Sequence, residues 1–390
     1  MPKPVNVLDY RELARTRLAR IAFDYLECGA EDEVAMRRNR EALAEIEFDP
    51  RVLAGVGAAD LRRTFMGRQY PLPLVVGPAG FLSLYWPEGE TTMARATARA
   101  GIPFVAATLA TTALEEIAHV DGLENWGLER WFQLYAFEDE AQTDELIARA
   151  QDAGYTALVL TADSAVSGKR EATMRNGSLP IPKTPAFVWD VLTHPGWAFG
   201  AVRYGAPRLR NFDPRNEPRK WGLAPPFSFD AVMKRSLSWQ DAARFRKQWK
   251  GAFVVKGIQS VEDARKAANA GVDGIVLSNH GGRQLDSSPS PMEILPEVAD
   301  AVGGGKMAVM ADSGIRRGSD ILKALALGAD AVWLGRAPIY GLAAAGEKGV
   351  SAVLEILRQE MESTMALIGV DRLSQLDRNT LRPRARGQLR

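Results

Sequence analysis

Histidine is the side chain best suited to proton transfer near neutral pH, and this chain has only three: His119, His194 and His280. His280 stands in the run Ser278-Asn279-His280-Gly281-Gly282-Arg283-Gln284-Leu285-Asp286. Other reactive groups follow short apolar runs in the same way. Asp163 comes after Thr161-Ala162, Lys256 after Phe253-Val254-Val255, Asp312 before Ser313-Gly314, and Arg336 after Gly335. A base, a cation beside an apolar run and glycines next to arginines suit moving a proton, steadying negative charge and holding a phosphate. His119 and His194 lack carboxylate or thiol neighbours at metal-ligand spacing, so no metal site is expected. No elbow motif marks a serine or cysteine nucleophile.

Something must bring these residues together. From about residue 72, branched apolar runs alternate with stretches of helical period. The candidate strands are Leu74–Gly77, Phe104–Ala106, Trp131–Tyr135, Ala157–Thr161, Phe253–Lys256, Gly274–Leu277, Met307–Met310 and Ala331–Leu334. Between them lie helix candidates Glu88–Ala100, Asp139–Ala153, Ser260–Ala270, Pro291–Val302 and Ser319–Leu327. Ser260 and Ser319 read as N-caps, and Gly101, Gly154, Gly271 and Gly328 as helix ends. Eight such units in about 260 residues match a (β/α)₈ TIM barrel of the α/β class, typically about 250 residues long. An open doubly wound sheet is the rival, but Gly77-Pro78-Ala79-Gly80 lacks the glycine spacing that fold places after its first strand.

Barrel enzymes build their sites at the C-terminal ends of the strands. Here Gln133 to Tyr135 end the third strand, Thr161 to Asp163 the fourth and Lys256 the fifth. Ser278 to His280 end the sixth, Asp312 to Gly314 the seventh, and Gly335-Arg336 the eighth. Polar residues often end strands, but a Lys, a His, two Asp and an Arg across six ends of one barrel point to a site. The last two ends suit a phosphate, with Gly314 and Gly335 allowing close backbone approach, Arg316, Arg317 and Arg336 supplying charge, and the helix from Ser319-Asp320 offering amides. A phosphate-anchored flavin becomes anionic near its pyrimidine end on reduction, and a buried Lys256 there would stabilise it. Gln133, Thr161 and Ser278 are placed to hydrogen-bond its edge.

Composition excludes little else. The chain has 390 residues, is 46% hydrophobic and carries a formal net charge of +1. That suits a large core and gives no global signal for nucleic acid. The single cysteine, Cys28, rules out an internal disulfide and fits a reducing compartment. No signal peptide and no membrane-spanning stretch is read, so the expected location is cytoplasmic or peripheral on the inner face of the cell membrane.

The run Ser278–Asp286, together with Asp312-Ser313-Gly314-Ile315-Arg316-Arg317-Gly318 and Leu334-Gly335-Arg336, resembles the FMN-dependent α-hydroxy-acid dehydrogenase and oxidase family. The similarity extends from Tyr10 to about Leu367, and Asp24-Tyr25-Leu26-Glu27 and Trp86-Pro87-Glu88-Gly89 resemble its mandelate-oxidising members. The resemblance implies FMN as cofactor, a small (S)-2-hydroxy acid as substrate, a membrane quinone or oxygen as electron acceptor, and a homotetramer. It implies that His280 is the base, Asp163 its partner, and Arg283 the carboxylate ligand aided by Tyr25. Tyr135 would lie against the substrate hydroxyl, and Arg170 would be a second active-site arginine. Lys256 would face the pyrimidine, with Gln133, Thr161 and Ser278 holding the ring. Asp312, Gly314, Arg316, Gly335 and Arg336 would hold the ribityl phosphate, and Pro78, Ala79, Gly80 and Thr108 would line the cofactor.

Two departures stand out. Ala79 and Ala107 occupy positions where the family usually carries hydroxyls near the flavin. Leu109 falls where some oxidases of small substrates carry tryptophan, which leaves room for a larger substrate side chain.

The expected layout is one catalytic unit over 1–390: a helical cap at 1–71 with Asp9–Leu26 as its clearest helix, a barrel at 72–365, and an insertion at 177–235. About 90 residues separate the fourth and fifth strands, against roughly 2–6 for an ordinary loop. This stretch holds Phe187, Trp189, Val191, Leu192, Trp197, Phe199 and Trp221. It also holds Arg203, Arg208, Arg210, Arg215, Arg219 and Lys220, against Asp213 and Glu217. Aromatics beside a basic cluster suit an anionic bilayer surface; a lid or an oligomer contact would use the same residues. Two other readings of the whole are a non-catalytic flavin-binding barrel, with Ala79 and Ala107 marking lost chemistry, and a flavin-dependent isomerase of phosphorylated substrates.

Overall fold

The eight apolar runs are the eight strands of a closed parallel barrel, each within about two residues of the range read from sequence. The computed structural model describes residues 3–120, 129–175, 184–204, 208–212, 229–305 and 307–382. A short antiparallel hairpin comes first, β1 (Arg63–Phe65) and β2 (Arg68–Tyr70). The barrel strands follow: β3 (Leu74–Val76), β4 (Phe104–Ala107), β5 (Arg130–Leu134), β6 (Ala157–Thr161), β7 (Ala252–Ile258), β8 (Gly274–Leu277), β9 (Ala308–Ala311) and β10 (Ala331–Leu334). They pair in that order, and β10 closes the ring on β3.

Both faces of these strands are buried, which explains why they read as continuous apolar runs rather than alternating ones. Alternate residues still have different neighbours. Val75, Val105, Trp131, Val159, Val254, Val276, Met310 and Trp333 fill the barrel interior. Leu74, Val76, Phe104, Leu158 and Val255 face the surrounding helices. Burying each of these side chains stabilises the fold by about 1.5–3 kcal/mol.

Residues 1–71 do not simply cap one end. Phe65 and Tyr70 stack at 4.3 Å and join the barrel-interior cluster, so the hairpin plugs the N-terminal end. Its turn places Met66 (φ 50°) and Gly67 (φ 76°) in the left-handed region. At the opposite end, α2 (Arg20–Glu27) and α3 (Val34–Glu45) lie against the loop after β8, and α1 (Val7–Arg17) packs beside the helical segment Arg336–Leu367. The single helix expected over Asp9–Leu26 is therefore two. Leu18 and Ala19 are extended and fully buried between them, and the amide of Arg20 is capped by Asp190 Oδ2 at 2.7 Å.

Most helix ends agree with expectation. Ser260 caps through the amide of Asp263, and Gly101, Gly154, Gly271 and Gly328 all have positive φ. Ser319 does not cap its helix. That helix is Gly318–Ala326, and Asp320 Oδ2 accepts from the amides of Arg316 at 2.9 Å and Arg317 at 3.0 Å. In the insertion, the described residues include the short helices Pro185–Thr193, Pro195–Tyr204 and Phe229–Val232. Arg215, Arg219, Lys220, Trp221, Asp213 and Glu217 lie outside the described residues.

Candidate active site

Barrel strand six, β8, leads into Ser278, and the chain then turns sharply. His280, Gly281 and Gly282 have φ of 58°, 68° and 76°. Left-handed backbone is costly for a residue with a Cβ, and here surrounding bonds hold it in place. The amide of His280 donates to Ser278 Oγ at 3.0 Å, that of Gly281 to Ser313 Oγ at 3.1 Å, and that of Gly282 to Asn279 Oδ1 at 3.0 Å. Asn279 and Asn39 of α3 exchange reciprocal amide bonds of 2.8 and 2.9 Å. Asp286 accepts from the amides of Asp32 and Ala35, which caps the start of α3. The N-terminal helices are thereby latched onto the loop that carries the histidine.

The turn aims His280 at the end of β6. Its Nδ1 lies 3.0 Å from Asp163 Oδ1 and 3.2 Å from Oδ2. Burial lowers the His280 pKa below its ordinary value, more than Asp163 raises it, so the ring is neutral at pH 7. Burial would raise the Asp163 carboxyl, but His280, Lys256 and Ser164 outweigh it and bring it down to about 2. Gly257 makes the approach of β7 to this carboxylate feasible. It has φ 104°, sits at a register shift in β7, and a Cβ there would lie 2.7 Å from Asp163 Cβ.

Lys256 is 5% exposed near the end of β7. Burial disfavours its charge, yet Asp312 and Asp163 raise its pKa above the usual value, so it stays an ammonium. Its Nζ lies 3.2 Å from Asp312 Oδ2 and 2.8 Å from Ser278 Oγ. Ser278 Oγ accepts from both Lys256 and His280, which leaves its own hydrogen to donate elsewhere. Asp312, expected to hold the cofactor, is the counterion of Lys256.

Two arginines come near each other beside the His280–Asp163 pair. Arg283 NH1 donates to the carbonyl of Cys28 at 2.9 Å, and its guanidinium lies 5.3 Å from the centre of the Tyr25 ring. Arg170 has a lowered pKa, first through burial and then through the charge of Arg283. Its buried Nε has no hydrogen-bond partner among the described residues. Two cations that repel each other, one with an unmet donor, are suited to receiving an anion. Tyr135 shares this environment: burial and the Asp163 charge raise its pKa, and Arg170 opposes them.

Other buried polar atoms fit a cofactor. Gln133 Nε2 and Thr161 Oγ1 also lack partners among the described residues, at the ends of adjacent strands β5 and β6. With the Ser278 hydrogen and the Lys256 ammonium, they form a row of donors suited to the heteroatom edge of a flavin. A Cβ on Gly335 would meet nothing within 4 Å among the described residues, so open space lies before the helix that begins at Arg336; the helical segment Arg336–Leu367 breaks at Ala345–Gly346. At the helix after β9, Asp320 takes the amides of Arg316 and Arg317 just before it, and Glu360 takes that of Gly318, its first residue. Arg336 donates to the carbonyls of Leu26, Gly281 and Cys28. Burial and the neighbouring arginines bring its pKa down to about 10. It ties the N-terminal segment to the catalytic loop.

The face opposite His280 is built from the loops after β3 and β4. Gly80 packs against Leu109, where a Cβ would approach to 2.9 Å. Pro78 and Ala79 precede it, half-buried. Phe81 has φ 59° and meets Tyr25 edge-on at 5.9 Å. Thr108, expected on the cofactor, commits its hydroxyl to the Gln133 carbonyl at 2.6 Å and accepts from the Tyr135 amide at 3.0 Å. It therefore joins β4 to β5.

Sequence reading missed two residues on this face. Glu90 is fully buried and accepts from the amide of Thr111 at 2.8 Å and from the hydroxyls of Ser83 and Thr112. Asn211, from within the insertion, donates to the carbonyls of Ala107 and Thr108 at 3.2 and 3.1 Å. Asn211 sits beside the Ala107 departure and fixes that strand end through backbone.

This geometry agrees with the comparisons. A model of the FMN-dependent dehydrogenase family matches residues 14–383, and the chain belongs to that family. FMN is therefore its cofactor. The chain is 42% identical over 373 residues to (S)-mandelate dehydrogenase of Pseudomonas putida, covering 95% of this chain and 92% of that protein. It is 40% identical to an L-lactate dehydrogenase of Caulobacter sp., covering 96% and 98%. The crystal structure of the monotopic membrane protein (S)-mandelate dehydrogenase superposes with a TM-score of 0.89 at 40% identity, covering 97% and 99%.

Proposed function

We propose that this enzyme oxidises an (S)-2-hydroxy acid, mandelate- or lactate-like, to the 2-oxo acid, and that a membrane quinone takes the electrons. The observation that carries this reading is the position of the Arg170–Arg283 anion site beside a neutral His280 paired with Asp163. The two guanidinium groups hold the substrate carboxylate, and Tyr25 packs against the Arg283 face. His280 Nε2, the ring nitrogen not facing Asp163, takes a proton from the substrate. Asp163 then stabilises the imidazolium, as a buried carboxylate does for a base in the correct orientation. Tyr135 lies toward the substrate hydroxyl. Bound FMN supplies the two-electron acceptor. Lys256, Gln133, Thr161 and Ser278 would hold its pyrimidine edge, and Gly314, Arg316 and Gly335 would hold its phosphate. Leu109, smaller than tryptophan, leaves room for an aromatic substrate.

The insertion supports seating on the inner face of the cell membrane. Among the described residues, no helix is long and apolar enough to cross a bilayer. Yet Val188, Trp189, Leu192 and Phe199 are 52%, 70%, 67% and 65% exposed on two adjacent helices. Such a surface suits shallow burial at a lipid interface. The test is anaerobic mixing of the enzyme with mandelate, lactate and longer 2-hydroxy acids, followed by quinone or oxygen. Flavin bleaching by an (S)-acid and fast recovery with quinone support the reading. Fast recovery with oxygen alone makes the enzyme an oxidase, and no bleaching by any acid overturns the substrate class.

A further inference from the structure

Arg316 lies in the loop after β9, and its guanidinium is held from behind. NH1 donates to its neighbour's carbonyl, Ile315 O, at 2.8 Å. NH2 donates to the hydroxyl of Tyr340 at 3.3 Å, and the charge lies 5.4 Å from the centre of the Tyr340 ring. Tyr340 is one turn into the helix that begins at Arg336, and it is fully buried. A tyrosine hydroxyl has one hydrogen and can turn it either way. Here Glu27, at the end of α2, takes that hydrogen: Tyr340 Oη donates to Glu27 Oε2 at 2.7 Å. Glu27 Oε1 in turn accepts from Arg11 Nε of α1 at 2.9 Å. With its hydrogen committed to Glu27, the phenol oxygen can only present lone pairs to Arg316.

We propose that Tyr340, oriented by Glu27, is a positioning residue that fixes the Arg316 guanidinium for the cofactor phosphate. The proposal rests on the reading that Arg316 binds that phosphate. It links the N-terminal helices to cofactor binding, because the chain Arg11–Glu27–Tyr340–Arg316 runs from the cap to the cofactor anchor. A hydrogen bond to a charged group contributes roughly 10- to 100-fold in a binding constant.

The test titrates flavin-stripped full-length protein with FMN and, separately, with riboflavin, which lacks the phosphate, following flavin fluorescence. Tyr340→Phe is expected to raise the FMN dissociation constant about tenfold and to leave riboflavin within about twofold. Glu27→Gln, which keeps an acceptor for the phenol, is expected to lose less than Tyr340→Phe. Arg316→Gln serves as the reference for the phosphate reading. If Arg316→Gln weakens FMN and Tyr340→Phe does not, the positioning role is overturned and the phosphate reading stands. If Arg316→Gln leaves FMN binding unchanged, the phosphate reading itself fails. If Tyr340→Phe weakens FMN and riboflavin equally, Tyr340 is merely structural and the proposal fails.

Discussion

His280 Nδ1 lies 3.0 Å from Asp163 Oδ1, although 117 positions separate the two residues. Three features make this contact: a left-handed turn at His280, the barrel closure that brings β6 near β8, and Gly257, which lets β7 pass behind the carboxylate. The pair leaves Nε2 as the basic nitrogen.

The first consequence is a pH profile. Burial lowers the His280 pKa, and a base works only in its neutral form, so kcat/KM must rise with pH and level off by neutrality. The acid limb is expected below 6.5, the ordinary histidine value. In Asp163→Asn the raising influence of the carboxylate is gone, so the limb moves to still lower pH. The imidazolium is also no longer stabilised, and kcat falls about 10²–10⁴-fold. Steady-state rates across the acid and neutral range check both; an unchanged kcat in Asp163→Asn would contradict the pairing.

Gly257 gives a steric test of the same contact. In Gly257→Ala the new Cβ would lie 2.7 Å from Asp163 Cβ, at a φ of 104° that alanine avoids. Strain of about 1–3 kcal/mol must be relieved by moving the carboxylate. The expected result is kcat reduced about 10- to 100-fold with FMN still bound, since about 1.4 kcal/mol is a factor of ten. Wild-type turnover would show that the Asp163 position is not critical.

Arg170 separates binding from stability. Its unmet buried donor and its proximity to Arg283 are unfavourable until an anion arrives. Arg170→Met is expected to weaken substrate about 30-fold or more, as loss of a buried charge partner does. It is also expected to leave the melting temperature of the substrate-free enzyme unchanged or higher. A large fall in melting temperature would show that Arg170 serves the fold.

The insertion can be divided. Residues 184–204 carry the exposed Trp189, Leu192 and Phe199, whereas Asn211 ties the end of β4. Replacing 184–204 with a short polar linker, with 208–212 kept, is expected to abolish sedimentation with anionic vesicles. Turnover with a soluble acceptor should fall by no more than about tenfold, reflecting loss of the Asp190 cap on α2. A wider deletion that removes Asn211 should also impair FMN retention. Undiminished vesicle binding after the short replacement would refute the membrane seating.

The barrel was legible in the sequence because fully buried parallel strands leave runs such as Ala157–Thr161 and Ala331–Leu334 between glycine-terminated helices. The ionisable residues after those strands were legible for the same reason: strand ends converge in a barrel. What escaped was set by distant parts of the chain. The break at Leu18–Ala19 has no glycine or proline to announce it, and its cap comes from Asp190, 170 residues away. The hairpin strands have three residues each, too few to show a period. Thr108, Asp312 and Arg336 do lie near the site, but their partners were not legible: Gln133, Lys256 and three backbone carbonyls. Glu90, Asn211 and Tyr340 stand in no chemical motif, and only their burial and contacts mark them.

The central claim is that His280 takes the substrate proton and does not hold the cofactor. The most direct measurement is anaerobic stopped-flow reduction of bound flavin by an (S)-2-hydroxy acid in His280→Gln. The variant is expected to purify yellow, with FMN bound as in wild type, and to reduce its flavin at least about 10²–10⁴-fold more slowly. Flavin reduction at the wild-type rate in that variant would contradict the claim.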